Sequence, residues 1–212
     1  MSDKKIIVTA LILSVLLIGA GWYYSKYGVS PAAISNPKTT PTPEAKVSAG
    51  IPYGNPDAPV VIEEYSSFLC GACVNFHSQT FGQIENDYIK TGKVKFVFYS
   101  FPPYELGAAA FCAQAQGKYN DYSDYLYSHN QNIKAAQDLI DFAVNAGLNQ
   151  ETFKQCFDSK EAKDAAQNWT AEGEKRGVEA TPTFFINGQK LVGAQPYADF
   201  QKIIDEQLNK AK

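Results

Sequence analysis

The sequence predicts an α/β protein in which an all-α domain is inserted into a sheet, preceded by a single N-terminal transmembrane helix. A strand–helix–strand pattern over residues 60–99 indicates the first part of the sheet. Residues 105–177 carry no strand signal and are typical of helices. Two short strands over residues 183–192 and an amphipathic helix then return the chain to the sheet.

The N-terminal segment is apolar enough to cross a membrane. Residues 6–24 contain no charged side chain and would span about 28 Å as a helix. Two lysines precede them, which predicts a cytoplasmic tip at residues 1–5 and export of the rest. Aromatic residues at 22–24 favour a retained signal-anchor, whereas the small residues at 19–21 leave a cleaved signal peptide open. Either interpretation places the cysteines outside the cytoplasm, where disulfides persist.

Residues 25–50 are typical of a linker, because four prolines interrupt a stretch rich in Ser, Thr, Ala and Lys. Fully extended, this linker would reach about 70 Å. The whole chain of 212 residues is 45% hydrophobic and 19% charged, as expected for a folded protein. Its net charge of −3 and single arginine exclude a basic nucleic-acid-binding surface.

The folded part is expected to consist of a core in two pieces, residues 51–104 and 178–212, separated by the helical insertion at 105–177. The first piece contains a buried strand at 60–65, a helix at 74–89 and a second strand at 94–99 that ends at a Pro-Pro pair. The insertion contains helical candidates at 105–117, 120–128, 135–146, 150–157 and 160–176. Asn187-Gly188 predicts a two-residue hairpin turn, and residues 197–210 form the closing helix.

The motif Cys70-Gly71-Ala72-Cys73 lies between the first strand and the first helix. Cysteines three residues apart lie one helical turn apart, so their sulfurs can join and separate with little backbone movement. A helix N-terminus also stabilises a thiolate. The motif therefore predicts a redox pair in which Cys70 is the nucleophile and Cys73 the shielded resolving thiol. A permanent disulfide or half of a zinc site are the alternatives, although only two histidines could complete the zinc ligands.

Two separated segments, YSSFLCGAC at 65–73 and GVEATPTFFING at 177–188, together with the helical block between them, resemble the DsbA-like family of thioredoxin-fold oxidoreductases. The resemblance covers about residues 50–210. It implies a thioredoxin fold interrupted by a helical domain, and disulfide exchange on exported or unfolded cysteine-containing proteins. It also implies that no organic cofactor is needed and that a membrane partner of the DsbB or vitamin-K-epoxide-reductase (VKOR) type re-oxidises the protein.

The resemblance also assigns roles to residues outside the C-x-x-C motif. Thr181-Pro182 matches the family's cis-proline loop, which faces the C-x-x-C motif and holds substrates; an ordinary trans proline is the alternative. Glu64 lies where the family places an acidic residue, six positions before the first active cysteine, and is expected to move protons for Cys73 through a buried water. The alternative is a surface carboxylate at a strand edge.

Three further expectations concern aromatic residues, histidine and the motif's interior. Phe68 is expected to line an apolar platform for unfolded substrates. His77 is expected to face solvent; the alternative is that it lends positive charge near the site. The family's strong oxidants often carry Pro-His between the cysteines. Because Gly71-Ala72 lacks that imidazole, the sequence predicts a weaker oxidant.

Cys112 and Cys156 both fall in the helical block. By analogy with a second bridge in some family members, they are expected to form a structural disulfide. Two buried free thiols, acting as small hydrophobic residues, are the alternative.

These features together predict a membrane-tethered, extracytoplasmic thiol–disulfide oxidoreductase that oxidises thiols of exported proteins. The catalytic domain would be secreted or periplasmic if the N-terminal segment is cleaved. An isomerase or reductase with the same site is one alternative, and a non-catalytic binding module with a structural C-x-x-C is another.

Overall fold

The computed structural model describes residues 49–211. The predicted cytoplasmic tip, the transmembrane segment and nearly all of the predicted linker lie outside the described residues. None of the helices within residues 49–211 combines the length and the apolar character that a membrane span requires.

The described chain forms one sheet, with most of its helices inserted between the third and fourth strands. The strands are β1 (Ile51–Gly54), β2 (Val60–Ser66), β3 (Val94–Ser100), β4 (Thr183–Ile186) and β5 (Gln189–Val192). The helices are α1 (Gly71–Phe76), α2 (Gly82–Ile84), α3 (Tyr104–Ala115), α4 (Tyr119–His129), α5 (Ala136–Asn145), α6 (Gln150–Asp158), α7 (Lys160–Lys175) and α8 (Tyr197–Lys210). The π-helical turn His77–Phe81 joins α1 to α2, and a second one, Glu85–Ile89, follows α2, so residues 71–89 form one continuous helical run.

The sheet has the strand order β1-β3-β2-β4-β5, so β2 lies at its centre. β2 pairs in parallel with β3 and antiparallel with β4, while β1 and β5 form the antiparallel edges. The parallel β2–β3 pair and the β4–β5 hairpin are as predicted. Asn187 and Gly188 both have positive φ, as a tight two-residue turn requires. The Asn187 side chain also accepts a hydrogen bond from the Val61 N–H at 2.8 Å and so ties the hairpin to β2.

Strand β1 is missing from the sequence prediction. Its four residues, IPYG, include a proline and a glycine that normally weaken a strand. At the edge of the sheet β1 needs a partner on one side only, and β3 supplies it. An edge position therefore tolerates a sequence that would not form a central strand.

The helical insertion packs closely because small residues lie where helices meet. A Cβ atom added at Gly107 of α3 would approach the Ala166 Cβ of α7 to 2.8 Å. Cys112 of α3 and Cys156 of α6, the expected second pair, are joined by a disulfide in the structure. The insertion is therefore held both by close helix contacts and by a covalent link.

Arg176 connects the end of the insertion to the sheet. It follows α7, and its guanidinium donates two hydrogen bonds of 2.8 Å to the Glu63 carboxylate of β2. It also lies 3.9 Å from the centroid of the Phe185 ring of β4 and donates to the Tyr65 hydroxyl at 3.1 Å. Bidentate pairing and stacking on an aromatic ring both require the planar guanidinium group.

Replacing Arg176 with methionine is expected to destabilise the protein by about 2 kcal/mol, because Glu63 loses both hydrogen bonds while it stays largely buried. Urea denaturation followed by circular dichroism measures the change. The neighbouring Lys175 is exposed, so Lys175→Met is the matched control and should change stability by less than about 0.5 kcal/mol. Equal effects of the two substitutions would contradict the assigned contact.

Candidate active site

The two cysteines of the C-x-x-C motif differ sharply in their surroundings. Cys70 is the N-cap residue of α1, with an extended backbone, and is partly exposed. Cys73 lies one turn into the helix and is completely buried. Both are free thiols in the structure. The geometry therefore leaves Cys70 as the one sulfur of the pair that another protein can reach.

The surroundings of Cys70 favour its thiolate. Partial burial by itself raises the pKa of the Cys70 thiol. Hydrogen bonding from the Thr181 side chain, from the backbone N–H groups of Cys73 and Ala72 and from the Cys73 thiol outweighs burial and lowers the pKa. The free N–H groups of a helix N-terminus are a general cause of reactive cysteines.

The surroundings of Cys73 favour its protonated form. Burial raises the pKa of the Cys73 thiol to about 12, and the charge of Glu64 acts in the same direction. Hydrogen bonds from Ser66 and Ser67 oppose this rise without cancelling it, and the Ser67 N–H lies 3.5 Å from the sulfur. In the reduced site, the surroundings therefore favour the thiolate at Cys70 and the thiol at Cys73.

Alkylation of the reduced protein is expected to modify Cys70 at neutral pH and to leave Cys73 intact. Because its pKa is lowered from the ordinary value of 9.0, the rate at Cys70 should reach half of its maximum below pH 9.0 and decline as pH falls through that midpoint. Thr181→Val removes the hydroxyl but keeps the side-chain shape, so it should move the midpoint upward. Iodoacetamide labelling read by peptide mass spectrometry from pH 4 to 10 measures both midpoints. A midpoint at or above 9.0 in the unchanged protein would contradict this description.

The Thr181–Pro182 loop lies directly against the reactive cysteine. The peptide bond between these residues is cis, as expected. The Cys70 sulfur lies 3.2 Å from the Thr181 carbonyl oxygen, to which a thiol donates a hydrogen bond. The Gly193 N–H donates to the Pro182 carbonyl at 2.8 Å, so the end of β5 holds the loop in place. A second cis bond, between Pro102 and Pro103, was not among the sequence predictions.

Glu64 is a buried carboxylate behind the cysteines, not a residue at a surface edge. It lies on the central strand β2 and is 0% exposed. Its Oε2 atom lies 3.1 Å from Nε2 of His77, while Oε1 has no hydrogen-bond partner within residues 49–211. Its neighbour Glu63 points to the opposite face of the sheet, towards Arg176. Buried carboxylates are normally paired, so the open Oε1 leaves Glu64 with the capacity to bind a proton.

The prediction that His77 faces solvent is wrong. Its side chain is only 10% exposed and stacks on the Tyr127 ring, with 4.0 Å between the ring centroids. His77 follows Cys73 by four residues and so lies on the same side of the helix, facing the sheet. The carboxylate that attracts it and the ring that covers it come from β2 and from the insertion, which no local pattern around residue 77 reveals.

The prediction that Phe68 lines an exposed platform for substrates is also wrong. The Phe68 side chain is 0% exposed and packs between Tyr127 and Phe98, with ring centroids 4.7 and 5.3 Å away. Burying this ring between the sheet and the insertion gains more than exposing it to water. The exposed apolar residue beside Cys70 is instead Leu69, at 46%.

A metal centre finds no support in the described residues. Within residues 49–211, no group of three or more His, Cys, Asp or Glu side chains is arranged to hold a metal ion.

The comparisons with known proteins agree with the fold and the site. A family model described as thioredoxin matches residues 46–206. The probable disulfide bond formation protein D of Bacillus anthracis is 27% identical over 170 residues, covering 74% of this chain and 77% of the relative. Disulfide bond formation protein D of Bacillus subtilis is 23% identical over 167 residues, covering 73% and 75%. The crystal structure of Wolbachia pipientis alpha-DsbA1 superposes with a TM-score of 0.68 at 28% identity, covering 76% of this chain and 92% of that one.

Proposed function

This chain is a DsbA-like thiol–disulfide oxidoreductase of the thioredoxin family, and we propose that it forms disulfides in exported proteins through Cys70 and Cys73. The observation that carries this proposal is the contrast between the two thiols. A partly exposed Cys70 with a lowered pKa beside a buried Cys73 with a pKa of about 12 is the arrangement that a two-step exchange needs.

The oxidised enzyme would react in two exchange steps. A substrate thiolate attacks the Cys70 sulfur, the Cys70–Cys73 bond breaks, and Cys73 leaves as a thiolate that takes up one proton. A second substrate thiolate then attacks the substrate sulfur of the mixed disulfide, and Cys70 leaves as a thiolate. Two electrons have passed from the substrate to the enzyme, and the substrate has gained a disulfide. The lowered pKa of Cys70 makes it the better leaving group in the second step.

Glu64 would serve the buried member of the pair. Cys73 gains a proton when the enzyme is reduced and loses it when the enzyme is re-oxidised, yet its sulfur has no contact with bulk solvent. The open Oε1 of Glu64 is a nearby group that can bind that proton, directly or through one water.

The Thr181 loop would hold the substrate during exchange. Its backbone lies within hydrogen-bond distance of the reactive sulfur, so an extended peptide attached to Cys70 would run alongside it. Main-chain pairing of this kind accepts many sequences, as an oxidase of diverse exported proteins requires.

The enzyme would act while tethered to the outer face of the cell membrane. The uncharged residues 6–24 and the lysines before them support a retained anchor with an exported catalytic domain. A tether of about 70 Å would keep the site near a membrane re-oxidant of the DsbB or VKOR type, which would accept the two electrons.

Oxidative refolding of a reduced, unfolded disulfide protein tests the activity. The oxidised full-length protein in detergent should restore the substrate's activity, and Cys70→Ser should abolish this effect. If Cys70 reacts with a thiol probe but the unchanged protein forms no disulfides in the substrate, the result would favour the reductase alternative.

Equilibration with glutathione tests the strength of the oxidant. Because Gly71-Ala72 supplies no imidazole beside Cys70, we expect a reduction potential below −120 mV, the value typical of the strongest oxidants in this class. A value at or above that figure would contradict the proposed effect of the two central residues.

A further inference from the structure

The buried pair of Glu64 and His77 lies between the resolving thiol and a separate cavity. Glu64 is close enough to Cys73 for its charge to act on that thiol, and its Oε2 contacts His77 Nε2 at 3.1 Å. The His77 ring in turn lines a cavity of about 210 Å³, together with Tyr53, Phe81, Glu85, Tyr119 and Asp124. A histidine therefore separates a buried proton-binding carboxylate from a space that can hold water.

The lining of this cavity is separate from the residues that surround the reactive sulfur. Cys70, Thr181 and Pro182 are absent from its lining. A substrate or partner that contacts only Cys70 and the Thr181 loop would therefore leave the residues that line this cavity uncovered.

The ionisable side chains that face His77 or its cavity are carboxylates and tyrosines. Glu64 faces the ring from β2, and Glu85 and Asp124 line the cavity from the helical run after α1 and from α4. Tyr53 donates a hydrogen bond to Glu85. Burial raises the pKa of Asp124, and His77 acts to lower it. Tyr127 and Tyr119, both with raised pKa values because they are buried, stay neutral beside the ring or the cavity. Within residues 49–211, no lysine or arginine lines this cavity, but the exposed Lys90 pairs with the Glu85 carboxylate at 3.2 Å.

We propose that His77 is a positioning residue that passes the proton of Cys73 between Glu64 and this cavity, so that Cys73 can change its protonation state while another protein covers Cys70. The proposal rests on the proposed function and on the role of Glu64 within it. Histidine suits this task because its imidazole gains and loses a proton near neutral pH.

In the resolving step, the proton that leaves Cys73 has an acceptor at each stage. When Cys73 resolves a mixed disulfide on Cys70, its thiol gives a proton to Glu64 and its sulfur attacks the Cys70 sulfur. The bond from Cys70 to the bound thiol breaks, and that thiol leaves as a thiolate. His77 accepts the proton from Glu64 at Nε2 and releases one from its other ring nitrogen to water in the cavity. When the oxidised enzyme accepts a substrate, the same path runs in reverse.

The resolving step can be isolated with glutathione. Reduced enzyme mixed rapidly with excess oxidised glutathione captures one glutathione on Cys70 and then releases it when Cys73 attacks. The first phase depends on glutathione concentration and the second does not. Because the pKa of Cys73 is about 12, an unassisted release rate should rise tenfold per pH unit up to pH 9. With the relay, the release rate should level off above the pH at which His77 titrates, which imidazole NMR measures on the same protein.

His77→Gln retains a donor to Glu64 but cannot carry a proton through the side chain. We expect its release rate at pH 7 to fall at least tenfold and its plateau to begin at least one pH unit higher, with capture by Cys70 unchanged within twofold. The only other histidine gives the matched control, and His129→Gln should leave both phases unchanged. A His77→Gln profile that matches the unchanged protein would overturn the proposal.

Two readouts separate this proposal from the proposed function and from a folding defect. The release rate of His77→Gln could match that of the unchanged protein at every pH while release is slow in Glu64→Gln. That result would overturn the relay and leave the proposed function intact. Failure of Cys70 to capture glutathione in the unchanged protein would instead contradict the proposed function. If His77→Gln does not fold, the pH dependence of the release rate in the unchanged protein tests the relay by itself. A release rate that rises tenfold per pH unit through pH 9, or a plateau more than one unit from the His77 titration, would overturn the relay.

Discussion

Replacing Cys73 with serine is expected to leave the enzyme attached to its partners as mixed disulfides. Cys70 keeps its position at the start of α1 and its contacts with the Thr181 loop, so the reduced variant can still attack a disulfide. The attack that frees Cys70 is lost, because serine is not a nucleophile towards disulfides. An adjacent thiol acts with a large effective concentration, so the life of the mixed disulfide should increase at least about a hundredfold.

Non-reducing electrophoresis and mass spectrometry measure this trapping, both with oxidised glutathione and with an unfolded substrate that contains disulfides. Cys70→Ser is the matched control and should trap nothing, because Cys73 is buried. Trapping by Cys70→Ser at a level similar to that of Cys73→Ser would show that the two thiols have been assigned the wrong roles.

Removing the Cys112–Cys156 disulfide is expected to produce the largest loss of stability. The bond joins residues 44 positions apart and links α3 to α6. A loop of that length contributes about 4 kcal/mol in the chain-entropy model. Cys112→Ala/Cys156→Ala should therefore lower the melting temperature by about 8–16 °C for a domain of this size. Alanine avoids burying a new hydroxyl group at position 112, which is fully enclosed.

Scanning calorimetry and urea denaturation measure this loss, and glutathione capture by Cys70 should persist below the new melting temperature. Cys70→Ala/Cys73→Ala removes the same number of sulfurs and is the control for composition. A double variant at Cys112 and Cys156 that melts within 2 °C of the unchanged protein would show that the bridge contributes little.

Sequence patterns predicted the elements whose determinants are local. The parallel pair β2 and β3, the hairpin at Asn187-Gly188 and the run of helices all follow from hydrophobic period and turn chemistry. The sequence pattern did not predict strand β1, because β1 is a strand by virtue of its edge position and not of its own residues.

The site could be predicted only where sequence spacing determines distance. Cys70 and Cys73 lie one helical turn apart in any helix that begins at the motif. The exposure predicted for Phe68 and His77 was wrong because Tyr127, a residue of the insertion, covers both rings. Contacts across about fifty residues depend on how the insertion docks on the sheet, and one sequence does not reveal that.

The two adjacent glutamates of β2 also determine how the central strand aligns with its neighbours. Side chains alternate between faces, so a slip of one residue moves each to the other face. A slip in one direction would place Glu64 where the buried Tyr65 lies, and a slip in the other would place Glu63 where the buried Ile62 lies. At the Ile62 position the carboxylate would be enclosed by apolar side chains, at a cost of several kcal/mol, and at the Tyr65 position it would replace a ring that stacks on Tyr99. Glu63 and Glu64 thus favour one register of the sheet, the register that places Glu63 beside Arg176 and Glu64 behind Cys73.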